Sequence, residues 1–319
     1  MSFIHDAPDF RDLLGIVAGE RALATGLVEK DYWVTHALWA LHEQGFEVWF
    51  KGGTSLSKGF GLIERFSEDL DLKVGPGTTT LPAVTNWKSE GTTAIMARKA
   101  SFETLARLFT VPGAQIEIDP APPEKLWRGV KLRVNYPGAF VADLGALMRP
   151  FVLLEIGDAR VTPFVECDLT SFVHAELERQ GRLGEFDDNR PRRVRCVHPL
   201  VTLLEKLDAL CRRFPDEKIA PATFVRHFED AARIIQAADT LPRLDGYADA
   251  RALAAEMAAQ KQLAAAPRPD AAAFAPGGSE RWRATTKAYD AIKPMYWGAR
   301  MTVDDACAII RRWVTNALV

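Results

Sequence analysis

The stretch WFKGGTSLSKGFGLIERFSEDLDLKV, Trp49 to Val74, decides how the rest of the chain is read. A short apolar strand, Phe46–Phe50, runs straight into Gly52-Gly53. Two consecutive glycines after a strand let the backbone turn tightly and bring bare N–H groups close to a ligand. The spacing then predicts a short helix over Leu56–Arg65, whose amino terminus turns its positive partial charge toward the same place. Thr54 and Ser55 add hydroxyl donors, so Gly52, Gly53, Thr54 and Ser55 together read as a grip for nucleotide phosphates. Lys58 is the better candidate to neutralise a phosphate and Lys51 the weaker one. The alternative for both is an ordinary solvated lysine.

A second strand is predicted over Ser67–Val74. Side chains alternate along a strand, so Ser67, Asp69 and Asp71 face one way and Leu70 and Leu72 the other. Two carboxylates about 7 Å apart on one face repel each other unless a cation lies between them. Mg2+, which takes a few carboxylates together with phosphate oxygens, suits that pattern. An exposed polar strand face is the alternative, and the upstream glycines favour the metal. Two-metal phosphoryl-transfer sites commonly use a further carboxylate from a neighbouring strand. Glu155, which interrupts the apolar run FVLLEIG, is the preferred candidate because an isolated acid in such a strand needs a partner. Glu117 and Asp119 in QIEIDP are its rivals.

Outward from this centre, the apolar spacing predicts a two-piece helix over Phe10–His42, closed by Gly45. Gly75–Glu90 reads as an exposed loop and Thr92–Leu108 as a helix. Further strands are expected at Gln115–Asp119, Val130–Tyr136 and Phe151–Ile156, with Val161–Val165 as an extension. From Pro199 onward the signal is helical, with helices beginning at Pro199 and spanning Thr223–Ala238, and a connector over Leu263–Glu280. There is no internal repeat. The expected fold class is α+β, a mixed sheet with flanking helices followed by an α-helical carboxy-terminal lobe. The expected domains are residues 1–185 and 186–319.

The 319 residues, 48% of them hydrophobic, are enough for a sizeable core. No apolar stretch approaches the roughly 20 residues of a membrane-spanning helix. The amino terminus lacks the pattern of a secretory signal, so the expectation is a cytoplasmic protein. The four cysteines and six histidines show no metal-binding spacing, which leaves oxygen ligands for any metal. A net charge of -2 argues against non-specific coating of nucleic acid. Arg190, Arg192, Arg193 and Arg195 form the densest basic run, read either as a local polynucleotide contact or as a solvated connector.

Two stretches of the helical half carry further candidates. In HPLVTLLEKLDALCRR the apolar stripe is Leu200, Leu203, Leu204, Leu207 and Leu210, with Lys206 at its edge and Glu205 and Asp208 facing away. A border lysine either snorkels to solvent or reaches a triphosphate. In TFVRHFEDAARII, Phe224, Phe228, Ala231 and Ile235 form a packing face, while Arg226 and Asp230 stand four apart, as in a local helical salt bridge.

Together these segments resemble the AbiEii/AbiGii toxin family of nucleotidyltransferases, within the DNA polymerase β-like superfamily. EKDYWVTHAL (Glu29–Leu38) is similar to the family's amino-terminal helix, and KGGTSLSK and SEDLDL to its first two motifs. TLLEKLDAL resembles the third motif and RHFEDAARII the fourth. The resemblance implies a nucleotidyltransferase-type sheet. It also implies a catalytic set of Ser67, Asp69, Lys206 and Asp230, with Asp71 as a second metal carboxylate. Its further implications are Mg2+, a nucleoside triphosphate substrate, a separately encoded antitoxin, a part in phage defence, and the tRNA 3′ acceptor end as acceptor. A protein or small-molecule acceptor is the first alternative, and a non-catalytic nucleotide- or partner-binding protein the second.

Overall fold

Glu29, Lys30 and Asp31 are three consecutive charges on the most buried helix of the chain. The computed structural model describes residues 2–67, 69–121, 124–264 and 266–319. Glu68, inside the expected second strand, and Ala265, inside the expected connector, lie outside the described residues. Helices α1 (Phe10–Arg21) and α2 (Thr25–Glu43) are the expected two-piece helix, divided where Ala22 takes a left-handed conformation. Each buried charge on α2 has a partner, as burial requires. Glu29 accepts the backbone N–H groups of Ala139 and Phe140, at 2.8 and 3.0 Å. Lys30 donates to the Arg149 carbonyl at 2.9 Å, and Asp31 accepts the Phe172 N–H at 2.8 Å.

The chain forms two compact units. The first comprises residues 1–59, 67–161 and 166–196; the second comprises 60–66, 162–165 and 197–319. In chain order the strands are β1 (Glu47–Lys51), β2 (Asp69–Gly75), β3 (Gln115–Ile118), β4 (Gly129–Asn135), β5 (Val152–Gly157), β6 (Phe164–Cys167) and β7 (Val194–Val197). They form one seven-stranded sheet in the order β3-β4-β5-β2-β1-β7-β6. β2 runs parallel to β5 and antiparallel to β1, while β4 runs antiparallel to both β3 and β5. The sheet is therefore mixed. Val48, Phe50, Leu70, Leu72, Val130, Leu132, Leu154 and Ile156 are buried. The alternate positions Lys51, Asp69, Asp71, Lys131 and Glu155 keep partial or full exposure. Alternation thus leaves one face of the sheet for the core and one for polar groups.

Helix α3 departs from expectation. It spans Gly52–Lys58, beginning on the glycines themselves, and ends before Gly59 and Gly61, the latter at φ +63°. Phe60 lies in a turn, residues 61–64 carry no regular structure, and Arg65 makes an isolated antiparallel bridge to Tyr296 within the second unit. Two glycines within three residues stop a helix that apolar spacing alone would continue. Helices α4 (Thr92–Leu108) and α5 (Phe172–Arg179) complete the first unit. Neither α5 nor β7 was anticipated. Each is short, and β7 overlaps the end of the arginine-rich run, where charge hides the strand pattern.

The second unit holds α6 (Pro199–Arg213), α7 (Arg226–Gln236), α8 (Ala250–Ala259), α9 (Glu280–Ala291) and α10 (Val303–Ala317). Leu203, Leu204, Leu207 and Leu210 of α6 are fully buried. One part of this core joins Val201 and Leu204 to Leu253, Ala254 and Met257 of α8. Asp208, expected to face away, is buried as well: its carboxylate accepts the Ala264 N–H at 2.8 Å and Arg212 at 2.7 Å. On α7 the fully buried branched residue is Ile234 in place of Ile235. Among the described residues no helix is long and apolar enough to cross a membrane.

Three histidines of the first unit lie in a buried polar cluster. Asn189 Nδ2 lies 2.7 Å from His36 Nδ1, and His36 Nε2 lies 3.0 Å from the Pro112 carbonyl. This pattern is met by a neutral ring with its proton on Nε2. His174 Nε2 lies 2.7 Å from Asn189 Oδ1. Burial pushes His36 down to about 3 and His174 to about 4, and it lowers His5. The unfolded chain binds protons at these sites below about pH 6.5 while the folded chain does not, so stability falls as pH falls. Denaturant titrations should show roughly 2 kcal/mol lost between pH 7 and pH 5 for each of His36 and His174. His36→Gln should remove one share of that slope, and a stability that stays flat over this range would contradict the neutral assignment.

Candidate active site

The GG turn and the acidic strand meet in the first unit. Gly52 holds φ at +76°, and a Cβ placed on it would lie 1.8 Å from Asp71 Oδ2. Only glycine allows the Asp71 carboxylate this approach to the turn. The Thr54 hydroxyl donates to the Asp69 carbonyl at 2.7 Å, tying α3 to the start of β2. Ser55 and Gly53 are buried at this turn, and Ser67 stands two residues before Asp69, the first described residue of the strand. Asp69 Oδ1 lies 3.2 Å from Arg149 Nη1.

Register brings a further carboxylate alongside. Asp71 stands opposite Lys51 on β1 and opposite Glu155 on β5, and Glu155 stands opposite Lys131 on β4. One row across four strands therefore reads Lys51, Asp71, Glu155, Lys131, two acids flanked by two bases. Neighbouring strands lie about 4.8 Å apart, so Glu155 is one strand from Asp71. Glu117 and Asp119 stand at β3, three strands from β2. Asp119 is also engaged by Arg133 Nε at 2.8 Å. Glu155 Oε1 in turn takes the Lys131 ammonium at 2.5 Å. A cavity of about 730 Å3 opens over this row, lined by Asp71, Glu155, Lys51, Lys131, Arg149 and Phe151 among others.

Lys58 is used differently from a phosphate-facing lysine. Its ammonium lies 2.5 Å from Asp31 Oδ1 and 3.0 Å from the Thr170 carbonyl, and both side chains are over nine-tenths buried. The pair fixes the end of α3 against α2. The arginine run is likewise committed. Arg190 pairs with Asp188 and Glu178, Arg192 with Asp168 and Asp188, Arg193 with Glu166, and Arg195 with Glu47. Arg195 also lies over the Trp49 ring. Four bases meet five acids there, so the run presents no surplus of positive charge.

Lys206 and Asp230 lie in the second unit and touch each other. Lys206 Nζ is 2.7 Å from Asp230 Oδ2. The partner missed in the sequence is Arg65, whose Nε and Nη2 donate to the two Asp230 oxygens at 2.7 and 2.6 Å. Asp230 therefore joins Arg65 and Lys206, and among the described residues it makes no ion pair with Arg226. Burial alone would raise the Asp230 carboxyl, but Arg65 and Lys206 outweigh it and hold the group below the usual carboxylate range. Burial lowers the Lys206 ammonium, and Asp230 offsets part of that effect. In the sequence Arg65 is only the last residue of the helix expected over Leu56–Arg65, and no local pattern gives it a role.

Among the described residues no three His, Cys, Asp or Glu side chains form a ready-made metal cluster. The donor chemistry still suits a hard cation. Asp69 and Asp71 share one strand face, Glu155 stands one strand away, and Mg2+ takes its remaining ligands from water and phosphate.

The family description "Nucleotidyl transferase AbiEii toxin, Type IV TA system" matches residues 37–306. This chain belongs to the AbiEii toxin family. It is thus a nucleotidyltransferase toxin of a type IV toxin–antitoxin system, which implies a nucleoside triphosphate substrate, an antitoxin and a metal ion. Among solved structures it is similar to JHP933 from Helicobacter pylori, at 13% identity, with 89% of each chain covered and a TM-score of 0.43. No curated protein matches it.

Two substitutions test the architecture of this AbiEii-family site. Gly52→Ala should lose transfer activity and roughly 1–3 kcal/mol of stability, because the new methyl meets Asp71 and the left-handed φ is retained. Lys58→Met should cost about 3–5 kcal/mol in denaturant melts, since it strands the buried Asp31 carboxylate. A fully stable Lys58→Met protein would show that the pair does not hold α3.

Proposed function

We propose that the toxin transfers a nucleoside monophosphate from a nucleoside triphosphate to the 3′ acceptor end of tRNA, blocking translation, with Mg2+ as its metal. The observation that carries this reading is the seat of Asp71 against Gly52, which joins a phosphate-approaching turn to a carboxylate strand at one spot. In the reaction the acceptor hydroxyl oxygen forms a bond to the α-phosphorus, the bond from that phosphorus to the bridging oxygen breaks, and pyrophosphate departs. The hydroxyl proton leaves to solvent.

The roles follow from the chemistry of each group. Asp69 and Asp71, with Glu155 as further ligand, would hold the metal, which supplies Lewis-acid stabilisation of phosphoryl oxygens. The backbone of Gly52 and Gly53 approaches the triphosphate without side-chain obstruction, and Thr54 and Ser55 shape that turn. Ser67 stands two residues ahead of Asp69 on the same expected face and is assigned to the catalytic set. Lys58 contributes by fixing α3. Lys206 offers positive charge to the departing pyrophosphate. Asp230 would orient Lys206 or help activate the attacking hydroxyl, and orienting Lys206 is the better supported, because its buried carboxylate already accepts three donors. In this reading the first unit serves as the transferase lobe and the second unit as the helical lobe.

The deciding assay incubates purified protein and Mg2+ with total tRNA and each labelled triphosphate in turn. Label should enter tRNA with the intact protein, while Asp69→Ala should fold normally and label about a thousandfold more slowly, a loss of several kcal/mol of barrier stabilisation. Label in a protein or small-molecule fraction would discard the tRNA acceptor and keep the transferase. Full activity in Asp69→Ala would sink the metal assignment.

A further inference from the structure

Resting on the reading of Lys206 as the residue that meets the triphosphate, we propose that Arg65 is its positioning residue, acting through Asp230. The three side chains form a closed set inside the second unit. Arg65 is 1% exposed, Asp230 0% and Lys206 7%. Arg65 occupies both Asp230 oxygens with two donors, at 2.7 and 2.6 Å, and Lys206 adds a third at 2.7 Å. A fork of this kind fixes the carboxylate plane, whereas a lysine alone leaves it free to turn. The Arg65 backbone is itself fixed by its bridge to Tyr296, with flanking hydrogen bonds from Phe66 N–H to the Met295 carbonyl at 2.8 Å and from Trp297 N–H to the Glu64 carbonyl at 3.0 Å.

Charge gives the arrangement its purpose. A lone lysine–aspartate pair is neutral and has little to offer an anion. With Arg65 included, the set carries two positive charges and one negative, a net single positive charge. Lys206 is its most exposed member, so that charge is presented at the ammonium. Arg65 thus supplies the counter-charge that frees Lys206 for a phosphate while Asp230 still aims it. Arg226 and His227 also act on Lys206, and burial holds His227 well below its usual range, so its ring is neutral. Tyr296 faces Asp230, and burial raises its hydroxyl. Glu229, next to Asp230 on α7, is committed elsewhere, to Arg300 at 2.9 Å and the Tyr289 hydroxyl at 2.9 Å. No second carboxylate therefore competes for Lys206 from α7.

The test reads Lys206 itself and needs no catalysis. Trace acetylation of the full-length protein across pH 7–11, mapped by mass spectrometry and normalised to the other lysines, gives the titration midpoint of Lys206. Arg65→Met leaves Asp230 to Lys206 alone, so the midpoint should rise by about one unit and acetylation at pH 8 should slow about tenfold. Arg65→Lys keeps the charge but not the fork. It should leave the midpoint near that of the wild type while kcat for label transfer drops at least about tenfold, with KM for the triphosphate little changed. A folded Arg65→Met protein whose midpoint is unchanged or lower would overturn the proposal. If that variant does not fold, wild-type kcat in Arg65→Lys would overturn it as well. Wild-type protein that transfers no label would instead count against the functional reading, and the midpoint comparison would still decide the role of Arg65.

Discussion

An ionised group taken out of water has to be paired by groups held in fixed positions, and much of this structure follows from that constraint. Glu29, Lys30, Asp31, Lys58, Arg65, Lys206 and Asp230 are all buried or nearly so. Stranding any one of them costs several kcal/mol, a large fraction of the stability of an ordinary domain. Each pairing therefore fixes a piece of backbone. Asp31 and Lys58 fix the end of α3, and Glu29 fixes the turn that begins at Phe140. Lys30 holds the Arg149 carbonyl, and the side chain of that arginine reaches Asp69. The charged triplet of α2 thus sets the ground on which the acidic strand stands.

The same rule separates the site from the rest of the sheet. Acids that serve structure are covered by bases at close range, as along the arginine run Arg190–Arg195. In the row through Asp71, two acids stand side by side in register with bases only at its ends. Like charges on adjacent strands oppose each other, so that row carries unfavourable repulsion that a cation would relieve. A fold built for stability alone would alternate the signs. Lys131 covers Glu155 at 2.5 Å, and in the proposed reading a metal would offset the repulsion that remains between the two carboxylates. In the second unit the excess is positive, where Arg65 and Lys206 share one carboxylate.

Local sequence carried a good deal of this. Apolar periodicity marked the two-piece amino-terminal helix, the Thr92–Leu108 helix and the Pro199 helix, because burial on one face writes a period into the chain. Strand alternation placed Asp69 and Asp71 on one face for the same reason. The errors lay where a local signal had two meanings. The apolar residues between Leu56 and Phe66 suit a helix, yet Gly59 and Gly61 end it and leave Arg65 in an isolated bridge to Tyr296. Asp208 sits on the polar side of a wheel, yet it is buried because a later backbone N–H, that of Ala264, reaches it.

By itself the sequence determined the α+β class, the GG turn, the same-face carboxylates and the family, all of which depend on residues close together along the chain. Tertiary structure alone decided which acid stands beside Asp71, since sheet order sets Glu155 one strand away and its rivals three. It alone decided that Lys58 and the arginine run are committed to carboxylates, and that Arg65 joins Asp230 across 165 positions of sequence. The physical reason is the same in each case. A charge is satisfied by whatever lies within about 3 Å of it in space, and a one-dimensional pattern records that neighbour only when it is also near in the chain.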